Sequence, residues 1–196
     1  MKHWEEHVKT IRTLAGRLGF EHEHLEFLGY ALELESGQVY DKLKDVQIKN
    51  PRSLYILYTL LAHYSKGKPT QRVEKLIKYR ELPGGIAYEG AFVQRAVSPI
   101  TKIFGTKPEM LVEAARLING IQVEYGDAST EIPALPKIPL SYILWEATDE
   151  FPSSATILFD ASASHYLHTE DLAVLAELTT KRLEHSLNIL ESNKNR

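Results

Sequence analysis

The sequence predicts an α+β fold, a single domain in which a mostly antiparallel sheet is flanked by helices. Apolar residues recur at helical spacing in several segments, while the short segments typical of strands cluster together instead of alternating regularly with helices. Hydrophobic residues make up 43% and charged residues 25% of the 196 residues, a composition that can build a core. We expect one domain: a helix plus meander over 1–49, a core over 50–191 and a frayed tail over 192–196.

The N-terminal part is predicted to be a helix followed by antiparallel strands. Apolar residues at helical spacing predict the helix over residues 1–18. Residues 25–34 alternate loosely between apolar and polar, and Ser36-Gly37 predicts a turn. Short strands at 38–40 and 46–48 complete a meander.

The middle of the chain is predicted to contain two helices with an extended segment between them. Asn50 and Pro51 supply an N-cap and a first-turn proline for the first of these helices. An extended segment follows at 76–82. The second helical pattern, from about 89 to 104, runs through Pro99, which should kink or split the helix.

After a further helix, the C-terminal part is predicted to hold two strands, irregular structure and a closing helix. The strands are expected around 121–125 and 140–146, and the prolines between them argue against one continuous central strand. These prolines are Pro133, Pro136 and Pro139. Ordered but irregular structure is expected over 149–168, and Thr169 opens the last helix.

Composition and charge exclude several classes of function. The net charge is −3, from 23 basic and 26 acidic residues, so no overall positive field attracts a nucleic-acid backbone. Without cysteine, the chain cannot form disulfides or supply thiolates as nucleophiles or metal ligands. No apolar run reaches membrane-spanning length and the first residues are charged, so we expect a cytoplasmic protein.

The most distinctive segment, residues 79–95, joins a strand, the Gly84-Gly85 turn and a helix start. A helix start offers free N–H groups, and Arg80 and Arg95 could complete a pocket for a carboxylate or phosphate. The segment matches neither a P-loop nor the dinucleotide fingerprint. In the alternative interpretation the glycines only make a tight turn, and the arginines pair with nearby carboxylates: Glu81, Glu89 or Asp160.

Histidines suggest a second kind of site near the N-terminus. His3 and His7 lie one helical turn apart, and His22 and His24 share one face of a strand. Both spacings suit a transition metal, so the four could form a metal site if the pairs meet. The alternative is a solvated polar surface.

A third group of polar residues lies between 160 and 168 and contains Asp160, Ser162 and His165. A Ser–His–Asp hydrolase is not favoured because the chain has no Gly-x-Ser-x-Gly elbow. In the alternative interpretation, Asp160 and Ser162 bond neighbouring backbone N–H groups and Thr169 caps the last helix.

Ordered motifs between residues 50 and 185 resemble an uncharacterised domain family of bacteria and archaea, met mostly in anaerobes. They are Tyr79–Gly85, Ala91-Phe92 with Arg95, Phe104-Gly105, Trp145-Glu146, Phe151-Pro152 and Ile157–Asp160 with Ser162. Relatives are sometimes joined to an iron–sulfur-cluster domain, so the resemblance implies work near redox or corrinoid-type cofactor metabolism. This chain departs from those members in having no cysteine, and the family supplies no catalytic residues to carry over.

We therefore expect a binding domain with little or no catalysis, which holds a small anionic molecule or an unidentified cofactor. The alternatives are a module that docks on a redox or corrinoid-dependent enzyme, marked by an apolar patch on the first or last helix, and a histidine-based metal-binding protein. The expected ligand-binding residues are Arg80, Glu81, Gly84, Gly85, Tyr88, Arg95, Trp145, Asp160, Ser162 and His165.

Overall fold

The computed structural model describes residues 2–194, with side chains from Trp4 onward. The helices are α1 (Lys2–Ile11), α2 (Pro51–Tyr64), α3 (Glu89–Phe92), α4 (Ser98–Phe104), α5 (Glu109–Arg116) and α6 (Thr169–Lys194). The strands are β1 (His24–Phe27), β2 (Tyr30–Glu33), β3 (Val39–Asp41), β4 (Val46–Gln47), β5 (Leu76–Lys78), β6 (Ile121–Gln122), β7 (Ala128–Leu135), β8 (Ile138–Trp145) and β9 (Ser154–Asp160). Helices, two antiparallel sheets and one shared core confirm the predicted α+β single domain.

The first sheet is the predicted antiparallel meander, in the order β1-β2-β3-β4. Leu25 lies opposite Leu32, and Leu32 lies opposite Val39, so the three buried side chains line up across the strands. Alternation along each strand therefore places one face of this small sheet on the core.

The second sheet has the order β5-β9-β8-β7-β6, and every neighbouring pair is antiparallel. The expectation of irregular structure over 149–168 was wrong for residues 154–160, because these form β9 between β5 and β8. Ile157 and Phe159 are buried there. The sequence signal was obscured by the Ser, Ala and Thr residues that precede them.

The prolines are accommodated in a long hairpin of β7 and β8 whose turn contains Pro136, so no single continuous strand runs through this segment. Pro133 of β7 lies opposite Pro139 of β8, next to a register shift. The pairing of β7 with β6 covers only Thr130 and Glu131, and the pairing of β8 with β9 begins at Leu140. Each proline therefore lies where one side of its strand has no paired neighbour, and a missing N–H group is tolerated there.

The start of α2 and the break before Pro99 lie where the sequence indicates, whereas α1 ends at Ile11 and not at residue 18. Asn50 caps α2 by accepting a hydrogen bond from the Ser53 N–H at 3.0 Å. The segment from α3 to α4 is split by a π-helical turn, Val93–Val97, just before Pro99. Because Pro99 has no N–H group, the usual α-helical bond to the Arg95 carbonyl is missing there.

A single hydrophobic cluster joins both sheets and the helices around them. It includes Ile11 of α1, Leu25 of β1, Leu61 of α2, Leu140 of β8 and Leu183 of α6. The closing helix thus packs into the same core as the opening helix. No helix within residues 2–194 combines the length and apolarity needed to cross a membrane.

Candidate functional site

Three neighbouring cavities surround the beginning of α6 and together form a groove. The first, the basic pocket, has a volume of about 260 Å³. Its polar lining consists of His63, Lys66, Lys68, Ser164, His165 and His168. These residues come from the end of α2 and from the loop after β9, two segments that are distant in sequence.

The middle pocket, of about 450 Å³, connects the basic pocket to the rest of the groove. It shares Ser164 and His168 with the basic pocket, and its lining also includes Gly84. Tyr88 and Glu170 form the other side of the middle pocket and belong to the next pocket as well. The three cavities are therefore neighbours beside the beginning of α6.

The aromatic pocket, of about 210 Å³, adjoins the middle pocket on its other side, and it shares Arg95, Val174 and Glu177 with a further cavity of about 790 Å³. It is lined by Tyr79, Tyr88, Phe92, Arg95, Glu170 and Glu177, among others. The rings of Tyr79 and Phe92 stack, with centroids 4.2 Å apart and an interplanar angle of 7°. Burial, together with the negative charge of Glu170, raises the pKa of Tyr79, so its hydroxyl stays protonated at neutral pH.

Hydrogen bonds between loops hold the basic pocket together. The Lys68 N–H donates to the His165 carbonyl at 3.3 Å. The Tyr166 hydroxyl donates to the Thr70 carbonyl at 2.8 Å and accepts from the Thr70 N–H at 3.0 Å. Gly67 lies against Tyr166, where a Cβ atom would be 3.0 Å from the Tyr166 Cα. The loop after α2 is thereby fixed beside the loop after β9.

The basic pocket carries more positive than negative groups. His63 Nδ1 lies 2.9 Å from Asp171 Oδ2, so this carboxylate is already engaged by a histidine of the pocket. Within the described residues, Lys66, Lys68 and His168 have no side-chain ion pair. The pocket can therefore offer positive charge to an anion without first breaking an ion pair of those two lysines.

A buried network of hydroxyl groups fixes the π-helical turn that carries Arg95. The Thr180 hydroxyl donates to the Ala96 carbonyl at 2.9 Å, and the Tyr142 hydroxyl lies 3.2 Å from the Thr180 oxygen. Tyr142 also donates to the Ala176 carbonyl at 3.1 Å. Burial raises the pKa of Tyr142 well above its ordinary value, which keeps this donor protonated.

The glycine segment contributes to the groove only in part. Gly84 has a φ of +76° and lines the middle pocket, while Tyr88 and Arg95 line the aromatic pocket. Gly85 is buried, and a Cβ atom there would lie 2.0 Å from the Tyr79 carbonyl oxygen. The double glycine therefore permits a close approach of two backbone segments.

The two arginines of this segment differ in their surroundings. Arg80 is exposed, its Nε lies 3.7 Å from Glu89 Oε2, and it lines none of the three pockets. Glu81 accepts a hydrogen bond from the Lys78 N–H at 2.7 Å and so stabilises its own 3-10 turn. Arg95 forms no ion pair with any residue in the range 2–194 that the structure describes. Of these two arginines, Arg95 is the one that lines the groove.

Asp160 and Ser162 are buried and bonded to their own surroundings. The Asp160 carboxylate accepts hydrogen bonds from the N–H groups of Val73, Glu74 and Ser162, at 2.8–3.1 Å. Burial works to raise the pKa of Asp160, but these bonds and the Ser162 hydroxyl outweigh it and lower the pKa. The local-bonding interpretation is confirmed, whereas Thr169 does not act as the expected cap, because its hydroxyl donates to the Pro83 carbonyl.

Trp145 and His165 lie far apart, although both were expected near one ligand. His165 lines the basic pocket. Trp145 lies opposite Ser154, at the far end of β8 and β9 from Asp160, and Asp160 is six positions after Ser154 along β9. That is about 20 Å along the sheet. The structure does not bring Trp145 to the groove.

The N-terminal histidines are described only in part. His3 lies outside the described side chains. The His22 ring packs over Gly16, and His24 Nε2 lies 3.3 Å from Glu26 Oε1. Among the side chains that are described, no three His, Asp or Glu groups lie close enough together to hold a metal ion.

The sequence did not predict the part of the basic pocket that comes from α2 and the loop after it. This part consists of His63, Lys66 and Lys68, which lie about a hundred residues before the other residues of the pocket in the sequence. The one available signal was the Lys66-Gly67-Lys68 run after a helix end. Lysines beside a helix-terminating glycine are common, and nothing in the sequence points to the second segment.

Comparison with known proteins gives a family and no activity. A family model described as a domain of unknown function (DUF3786) matches residues 10–182, which includes the N-terminal meander. No curated protein and no solved structure matches the chain.

Proposed function

Because the chain belongs to the DUF3786 family, whose description names no activity, we propose a function from the geometry: the basic pocket binds a small anionic molecule. One observation carries this proposal. Lys66, Lys68, His165 and His168 surround one cavity, and its neighbouring carboxylate, Asp171, already contacts His63. A bound anion is the partner that such a lining lacks.

The types of donor in the pocket favour a phosphate or a carboxylate. Lysine ammonium groups provide charge and up to three donors each, while Ser164 and the imidazoles provide further donors. Compact anions with several oxygen atoms can accept from many of these groups at once. The loops that carry the lysines are held by the Tyr166–Thr70 bonds, so less conformational entropy is lost on binding.

Two features support a binding role over a role in docking on an enzyme. A docking module was expected to show an apolar patch on the first or last helix. In the described parts of α1 and α6, Val174 is the one exposed large hydrophobic residue, at 38%. The groove, in contrast, runs along the first turns of α6.

The wider role that we propose rests on the motif resemblance. It is an accessory ligand- or cofactor-binding role in anaerobic metabolism, in the cytoplasm and without catalysis of its own. The proposal for the basic pocket is independent of this wider role and is tested separately.

Isothermal titration calorimetry with inorganic pyrophosphate tests the proposal. We expect binding to the wild-type protein, and about tenfold weaker binding by Lys66→Ala and by Lys68→Ala, since a hydrogen bond to a charged group contributes about 1.5–3 kcal/mol. Lys102→Ala removes an exposed lysine outside the groove and serves as the matched control. Binding that is absent in the wild type, or equal in all four proteins, contradicts the proposal.

A further inference from the structure

We propose that the ligand of the groove is a nucleotide, with its phosphates in the basic pocket and its base in the aromatic pocket; this inference rests on the proposed anion binding. The reason is that an anion alone occupies only the basic pocket. The neighbouring aromatic pocket has a lining of a different chemical character, which suits a planar heterocycle.

The dimensions of the groove fit an elongated ligand. Glu170, which the middle and aromatic pockets share, and Glu177 of the aromatic pocket lie seven residues, or about two turns, apart on one face of α6. At 1.5 Å per residue these two residues are roughly 10 Å apart along the axis of α6, and the basic pocket lies beyond the middle pocket. A base, a sugar and phosphates together span such a length, whereas inorganic phosphate does not.

Tyr88 is placed to stack on a base. Its side chain is 52% exposed and lines both the middle and the aromatic pockets. Behind it, the stacked rings of Tyr79 and Phe92 form a rigid apolar wall, at 2% and 5% exposure. An aromatic ring stacked on a base contributes to affinity for any base, because every base has a π face.

The polar groups of the aromatic pocket can distinguish a base from a plain hydrocarbon ring. Arg95 can donate to a ring nitrogen or carbonyl, and the carboxylate of Glu170 can accept from an amino group, whereas Glu177 already accepts from Lys181 Nζ at 2.6 Å. Glu170 also faces the middle pocket, where it can accept from sugar hydroxyls.

The π-helical turn Val93–Val97 carries Arg95 and fixes the position of its backbone beside the aromatic pocket. Single π-helical turns often occur at functional sites. Here the turn is fixed from behind by the bond from Thr180 to the Ala96 carbonyl, next to Arg95. The position of the Arg95 backbone is therefore set by buried contacts that exist before any ligand binds.

Calorimetric titrations with ADP, pyrophosphate and adenosine separate the two ends of the groove. We expect ADP to bind at least tenfold more tightly than pyrophosphate. Tyr88→Ala should remove this advantage and leave the affinity for pyrophosphate unchanged. Adenosine binding should be lost in Tyr88→Ala and retained in Lys66→Ala. Tyr125→Ala, which removes a similarly exposed tyrosine outside the groove, is the matched control.

The outcomes distinguish this inference from the proposal on which it rests. Pyrophosphate binding with no tighter binding of ADP overturns the nucleotide and leaves the anion site intact. Tighter ADP binding that Tyr88→Ala does not change also overturns the placement of the base. Absence of binding for both pyrophosphate and ADP overturns the inference and the anion site together.

Discussion

Arg182 of α6 forms a bidentate ion pair with Asp41 of β3, with both Nη–Oδ distances at 2.7 Å and both side chains 1% exposed. The Arg182 Nε also donates to the Leu28 carbonyl at 2.9 Å, and the guanidinium carbon lies 4.1 Å from the centre of the Tyr30 ring. Burial works to raise the pKa of Asp41, but the hydrogen bonds and charge of Arg182 outweigh it and lower the pKa. The pair fastens the first sheet to the closing helix.

Removal of the arginine should be strongly destabilising. We expect Arg182→Met to lower the free energy of unfolding by about 3–5 kcal/mol, because Asp41 is left buried and charged without a partner. Urea unfolding measures this loss. Arg116→Met, which breaks an exposed pair with Glu113, should cost at most about 0.5 kcal/mol. If Arg182→Met is too unstable to purify, the double variant Arg182→Met with Asp41→Leu should recover part of the lost stability. Similar losses of stability in Arg182→Met and Arg116→Met contradict the stabilising role of the buried pair.

Protonation of Asp160 should account for part of the stability that the protein loses at low pH. Its pKa is lower in the folded chain than the ordinary 3.8, so the folded state favours the charged form. This contribution is fully present above the unfolded-state pKa and is lost as the pH falls through the folded-state pKa. The stability advantage of wild type over Asp160→Asn should therefore be largest near neutral pH and shrink below about pH 3.8. Urea unfolding between pH 7 and pH 2.5 measures it.

The control for this experiment is Asp149→Asn, which replaces an exposed carboxylate without a hydrogen bond to the described residues. It should follow the wild-type stability curve at every pH. An Asp160→Asn curve parallel to that of wild type across the whole range is the result that speaks against the role of Asp160.

The two adjacent glycines should respond very differently to alanine. Gly84→Ala should cost about 1 kcal/mol, because φ is +76° there but no atom lies within 4 Å of an added Cβ. Gly85→Ala should cost clearly more, since the new Cβ would meet the Tyr79 carbonyl at 2.0 Å and the backbone must move. Thermal unfolding compares the two variants side by side. Equal melting temperatures contradict the close approach at Gly85.

Arg95 should contribute to ligand affinity, whereas Arg80 should not. Arg95 lines the aromatic pocket and has no ion pair among residues 2–194, while Arg80 contacts Glu89 outside the groove. We expect Arg95→Ala to weaken ADP binding about tenfold, in line with a charge-assisted hydrogen bond, and Arg80→Ala to leave it unchanged. Calorimetric titration gives both affinities. Unchanged affinity in both variants removes the arginines from the site.

Local signals in the sequence were sufficient for several elements of the fold. The Asn50-Pro51 start of α2, the meander and the break before Pro99 were all predicted, because caps, turns and proline act over a few residues. The central strand β9 and the proline-containing hairpin of β7 and β8 were not predicted. Their stability comes from neighbouring strands whose positions no local pattern specifies.

The candidate site shows the same division between local and long-range information. Gly84, Tyr88, Arg95 and His165 were identified from unusual local sequence and do line the groove. Trp145 was grouped with these residues, yet it lies at the end of β8, and this end of the sheet is opposite to the end that contains Asp160. The α2 side of the basic pocket depends on packing across about a hundred residues, which composition and spacing cannot indicate.

The link between Asp41 and Arg182 also has a consequence for the order of events during synthesis. The two residues are 141 positions apart, so on the ribosome the meander emerges with its carboxylate long before the arginine exists. At 5–20 residues per second the delay is roughly 7–28 s. Throughout this interval the nascent meander lacks the helix on which it docks. The N-terminal sheet therefore reaches its final packing only after α6 has been translated, although it is among the first parts of the chain to be made.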